Sequence, residues 1–140
     1  MRIKLSPLDK LFSEYIRLRA MKRVHGCERC LVPKYDIQKE DGSIFPAWGQ
    51  LDCAHLLGRW KKSIRWDEDN AIGACGGCHL TLDRDHLEKE SFIESHLGQE
   101  GYNLLKARAR ITYPGPDVEA ITLYLKVKIE EMKGVKHETY

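Results

Sequence analysis

Two Cys-x-x-Cys pairs, Cys27/Cys30 and Cys75/Cys78, are separated by 44 residues, and nothing else in the chain constrains its fold as strongly. A two-residue gap lets both thiolates of a knuckle reach one ion at about 2.3 Å, and two such knuckles complete a closed tetrahedral zinc site. The 44 residues between them are then an insert held at its base by the metal, which serves as a folding staple in place of hydrophobic core. The chain has five cysteines and no secretory signature, which argues against a disulfide framework and for metal binding. Cys53, the fifth, reads as a small buried strand residue.

With 140 residues, 42% of them hydrophobic, the chain can bury one core but hardly two, so a single domain is expected. No run of 18 apolar residues exists, and the start MRIKLSPLDKLF lacks an apolar h-region; neither a membrane span nor a signal peptide is expected, and the chain reads as cytoplasmic. A formal net charge of +2 hides an asymmetry: residues 1–35 carry nine Lys/Arg against three Asp/Glu, residues 66–140 nine against fourteen. A basic first half on an acidic second half suggests an anionic partner such as nucleic acid.

Ser6-Pro7, followed by Leu8, Leu11, Phe12, Tyr15 and Leu18 at helical spacing, predicts a capped N-terminal helix that stops at His25-Gly26. Lys10, Arg17, Lys22 and Arg23 lie largely off that stripe. A polar loop containing Asp41-Gly42 leads to Leu51–Leu57, a short apolar run that predicts a strand ending near His55. Ala71–Ala74 then reads as strand or turn before the second knuckle. Three helices are expected after it, His79–Ser95, Gln99–Arg110 and Asp117–Lys133, divided by Gly98 and by Tyr113-Pro114-Gly115-Pro116. In the last, Val118, Ile121, Leu125, Ile129 and Met132 form a stripe for a core or a partner helix.

The insert contains His55; Asn70 stands five residues before Cys75, and His79 directly follows Cys78. This order of Cys-x-x-Cys, His, Asn and Cys-x-x-Cys-His resembles the zinc-containing HNH endonucleases. The stretches LDCAHLLGR and IRWDEDNA, and a later Gly98-Gln99-Glu100, are similar to phage members of the NinG/Rap type of recombination nuclease. The resemblance covers about residues 27–101. It implies an α+β fold: a zinc-stapled ββα-metal (His-Me finger) core over 27–95, with an N-terminal helix over 1–26 and a helical region over 96–140. It also implies a phage or prophage protein acting in the host cytoplasm.

Hydrolysing a phosphodiester requires a base for water, a cation on the phosphate and the departing oxygen, and groups that fix both. An imidazole suits the base, a role that falls to His55. By resemblance, His79 ligates a catalytic Mg²⁺ or Mn²⁺, distinct from the structural Zn²⁺ at Cys27, Cys30, Cys75 and Cys78, and Asn70 braces the loop that aims the base. The second-ligand role is carried by Asp52, with Asp83 left as the alternative. Many family members place Asp or His directly before the base, where this chain has Ala54; Asp52 shares that strand face. Asp83, four residues after His79 on one helix face, competes with it, and His86 is a weaker candidate.

Arg59, Lys61, Lys62 and Arg65, interleaved with Trp60 and Trp66, fall between His55 and Asn70. They are placed to hold a DNA backbone, with Trp60 as a stacking or wedge residue and Trp66 in the core. The resemblance implies branched recombination intermediates as substrate, a point that rests on analogy alone. The alternatives are a phage nicking or packaging-associated nuclease on duplex DNA and a non-catalytic zinc-knuckle DNA-binding module. A homodimer through the last helix would suit paired cuts.

Overall fold

Ser6 and Asp9 start α1 (Pro7–Val24) with a reciprocal cap: the Ser6 hydroxyl accepts from the Asp9 amide and the Asp9 carboxylate accepts from the Ser6 amide, with Pro7 at the first helical position. The computed structural model describes residues 4–134 of the chain. α1 ends as expected, at His25 in the left-handed conformation (φ 58°). At Gly26 a Cβ would lie 2.1 Å from the Val32 carbonyl oxygen, so the chain can fold back into the first knuckle only with glycine there.

The insert opens with two short strands, β1 (Ile37–Gln38) and β2 (Ile44–Phe45), paired antiparallel. The polar loop expected around Asp41-Gly42 is thus the tip of a small hairpin. Gly42 takes φ 86°, and the Asp41 carboxylate accepts from the Ser43 amide at 2.9 Å. At two residues each, these strands are too short to leave an alternating pattern in the sequence.

β3 (Asp52–His55) and β4 (Ala71–Ala74) pair antiparallel, with Cys53 opposite Gly73 and His55 opposite Ala71. Their two faces carry the two halves of the core. One half joins Ala54, Ile72 and Ala74 to Leu82, Ile93 and Tyr102; the other joins Cys53 and Ala71 to Phe12, Ile16, Leu125 and Ile129. α1 lies directly on β4, since a Cβ on Gly73 would come within 2.5 Å of the Ala20 Cβ.

α2 (Gly76–Arg84) starts three residues before His79, with Cys75 as its N-cap, and stops early. The single helix expected over His79–Ser95 is two. Asp85 turns extended and caps α3 (His86–Ala109), its carboxylate accepting from the Glu88 amide at 3.1 Å. The break expected at Gly98 is present as a non-helical residue inside α3 (φ 74°, ψ 164°). α4 (Val118–Met132) is capped by Asp117, and its Leu125 and Ile129 are buried in the same cluster as Phe12 and Ile16 of α1. The stripe of the last helix therefore serves the chain's own core. Residues 135–140, the end of the expected C-terminal region, lie outside the described residues. No helix among those described is long and apolar enough to cross a membrane.

Candidate metal centre and adjoining cleft

The four knuckle sulfurs lie within 4.8 Å of one another, the one group of three or more potential metal ligands that close among the described residues. Cys30 and Cys75 are 3.9 Å apart at sulfur. The edge of a tetrahedral site with 2.3 Å metal–sulfur bonds is about 3.8 Å, so the four sulfurs are placed to bind a single ion and the donor set suits zinc. Four thiolates around a dication leave negative charge. Arg29 answers it by donating to the Cys78 sulfur at 3.3 Å while also pairing with Glu88 on α3.

Glu28, inside the first knuckle, ties that turn to the strands. Its amide donates to the Gly73 carbonyl at 2.9 Å, and its buried carboxylate accepts from the Gly73 amide at 2.7 Å and pairs with Arg23. The two knuckles and β4 thus form one hydrogen-bonded unit. The sequence offered no pattern for Glu28 beyond its place between the cysteines.

Beside the knuckles a cleft of about 430 Å³ is lined by Cys53, His55, Arg59, Trp60, His79, Asp83 and Lys89. His55 comes from the end of β3 and His79 from the first turns of α2, so the two predicted histidines meet across one cavity. The His55 Nε2 lies 3.0 Å from the Arg65 carbonyl oxygen. Burial lowers the His55 pKa to about 4, against a smaller upward pull from that bond. The imidazole is therefore neutral at physiological pH. Cys53, buried although it borders the cleft, has its thiol pushed up to about 12 by burial, so it stays protonated at physiological pH.

His79 has a carboxylate at each ring nitrogen: Asp52 at 3.0 Å from Nδ1 and Asp83 at 3.5 Å from Nε2. Both competitors for the second ligand therefore reach the same ring from opposite sides. Of the two, only Asp83 lines the cleft. His86 stands exposed at the start of α3, outside this group.

Asn70 is completely buried, and its side chain satisfies three backbone groups of the segment after His55. It accepts from the Leu57 amide at 2.8 Å and donates to the Gly58 and Ile64 carbonyls at 3.2 and 3.0 Å. This is a brace on the loop that follows the strand.

The basic loop divides in two. Lys61, Lys62 and Trp60 are exposed, Trp60 by 66%. Arg59 lines the cleft with its Nε buried and without a hydrogen-bond partner. Arg65 is different: its side chain is 13% exposed and is bound to Asp9, which also accepts from the Trp66 indole at 3.0 Å. Trp66 is partly buried and packs against the core, while Arg65 joins the loop to α1. Asp9 carried no signal of its own in the sequence, because nothing near it marks a distant partner.

Compared with models of protein families, with curated proteins and with solved structures, the chain matches none of them.

Proposed function

We propose that this chain is a metal-dependent DNA endonuclease of the HNH type, with a structural zinc at its four cysteines and branched recombination intermediates as substrate. The observation that carries the reading is the meeting of His55 and His79 on one cleft, from the end of a β-hairpin and the start of the next helix. The ββα order, the two knuckles at its base and the Asn70 brace are what the resemblance to that family implies.

The chemistry follows from the residues. A carbonyl can only accept, so the His55 Nε2 carries the proton and Nδ1 keeps the lone pair for a proton from water. A base whose pKa is near 4 is always ready to accept but accepts weakly. A divalent cation such as Mg²⁺ or Mn²⁺, when bound, neutralises phosphate charge and makes the attacking water more acidic. His79 and Asp83 are the residues that would hold it on the cleft side, while Asp52 fixes the ring through Nδ1. Arg59, with Lys61 and Lys62 on the exposed loop, supplies cations for the flanking phosphates.

The test is cleavage of a labelled four-way junction and a matched linear duplex with Mg²⁺ or Mn²⁺, comparing wild type with His55→Ala. Cutting that disappears in the variant supports the nuclease, and preference for the junction supports the branched substrate. Zinc-loaded protein that binds DNA but cuts neither substrate would make a binding module the better reading.

A further inference from the structure

We propose that the cavity sharing Trp60 with the candidate cleft accepts one unpaired nucleobase, stacked on the indole, from a strand whose backbone runs into the cleft. This deepens the nuclease reading and rests on it for the strand's presence. The cavity, of about 410 Å³, lies between the Trp60–Ser63 loop and the segment joining α3 to α4, where Ile111, Gly115 and Pro116 line it. Trp60 is 66% exposed and Ile111 51%. Single exposed apolar residues mean little. Here an indole and an aliphatic side chain line one concavity that adjoins the cleft, with Lys61 and Lys62 also on its wall.

An indole and an aliphatic wall with cations beside them match the two halves of a nucleotide, a π-face and a phosphate. An apolar peptide would use the walls and leave the lysines without a counter-charge. The walls are also tied together, so the slot exists before any ligand arrives. Ser63 donates its hydroxyl to the Ala109 carbonyl at 3.3 Å, and Arg108 pairs with Asp67 at 2.6 Å. A base inside a duplex hides both faces in the stack and presents only its edges in the grooves. A site that stacks a base on an indole must take that base out of the duplex stack, which costs least where the strand is already unpaired.

The experiment uses full-length, zinc-loaded His55→Ala protein without Mg²⁺ or Mn²⁺, so that no strand is cut. Its tryptophan fluorescence is titrated with an oligothymidylate, an abasic strand of equal length and a blunt duplex. The oligothymidylate should quench and the other two quench far less. Adding Trp60→Leu should abolish the quench and weaken oligothymidylate binding about tenfold, more than it weakens duplex binding, while Trp60→Phe retains most of the affinity. The slot is rejected if Trp60→Leu binds the oligothymidylate as tightly as its parent, or if the abasic strand or duplex quenches equally. Cleavage by the His55-containing protein, assayed in parallel with Mg²⁺, separates the two ideas. Base-dependent quenching without cutting would sink the nuclease alone, and cutting without such quenching would sink the slot alone.

Discussion

His55 donates its Nε2–H to the backbone carbonyl of Arg65, 3.0 Å away, and the side chain of the same Arg65 is anchored on Asp9 at the start of α1. The orientation of the imidazole therefore depends on the first turn of a helix far earlier in the chain. Asp9 is the hub. It completes the cap with Ser6, receives the Arg65 guanidinium and takes the Trp66 indole N–H. Burial alone would raise its carboxyl pKa, but the Arg65 bond, with those from Ser6 and Trp66, outweighs that and holds it well below the ordinary carboxylate range.

Replacing Asp9 by Asn keeps the shape and removes the charge, leaving a mostly covered guanidinium without its partner. Breaking such a pair by removing one member costs about 3 kcal/mol. Chemical denaturation of Asp9→Asn against wild type should give a loss near that size; a loss under about 1 kcal/mol would mean that Arg65 finds water or another acceptor, and the proposed anchor fails.

The knuckles should behave as one folding unit with their ion. Replacing Cys75 by Ser removes one of four ligands and should lower stability by at least about 3 kcal/mol, roughly 10 °C in melting temperature. Metal content measured on the purified variant should fall with it, and chelation of the wild type should give the same shift. Unchanged melting and unchanged zinc would reject a metal bound by the four cysteines.

What the sequence disclosed follows from the range of the interactions involved. Cys-x-x-Cys spacing, the Ser6-Pro7 helix start and the Gly98 break are local, and each could be read within a few residues. The meeting of His55 with His79 was expected only through resemblance, and the β3–β4 register then placed them. Arg65 belonged in the sequence to a run of cations, because nothing near it signals Asp9; a tertiary ion pair removes it from the exposed basic surface. The helix break at Asp85 was missed because the apolar pattern runs on through Leu82, Leu87 and Ile93, masking the cap. The joint approach of Asp52 and Asp83 to one ring depends on a strand and a helix meeting, a placement that periodicity does not encode.

Those two carboxylates make separable predictions. Asp83 lines the cleft and Asp52 does not, so Asp83→Asn should depress metal-dependent cleavage the more and raise the Mg²⁺ concentration needed for half-maximal rate. Asp52→Asn removes the acceptor at Nδ1 and should cost a smaller factor, on the order of tenfold, as partners that orient metal-binding histidines do. Metal titrations of the two variants decide between them. A larger loss from Asp52→Asn, with Asp83→Asn close to wild type, would transfer the ligand role to the strand.

Neutral His55 also predicts an acid limb in stability. An ordinary histidine takes up its proton near pH 6.5, whereas the folded His55 resists until about 4, so between those values the unfolded chain binds more protons than the folded one. The contribution is complete above pH 6.5 and drains as pH falls toward 4, at about 1.4 kcal/mol per unit and at most about 3 kcal/mol in all. Protons also compete with a metal ion for cysteine ligands on acidification, so the useful quantity is a difference. Denaturation midpoints of wild type and His55→Gln, followed from pH 7.5 to 4.5 with zinc in excess, should converge on acidification, because only wild type carries the buried imidazole. Parallel curves across that window would show that the folded His55 takes up its proton near the ordinary histidine value, and the lowering by burial would fall with it.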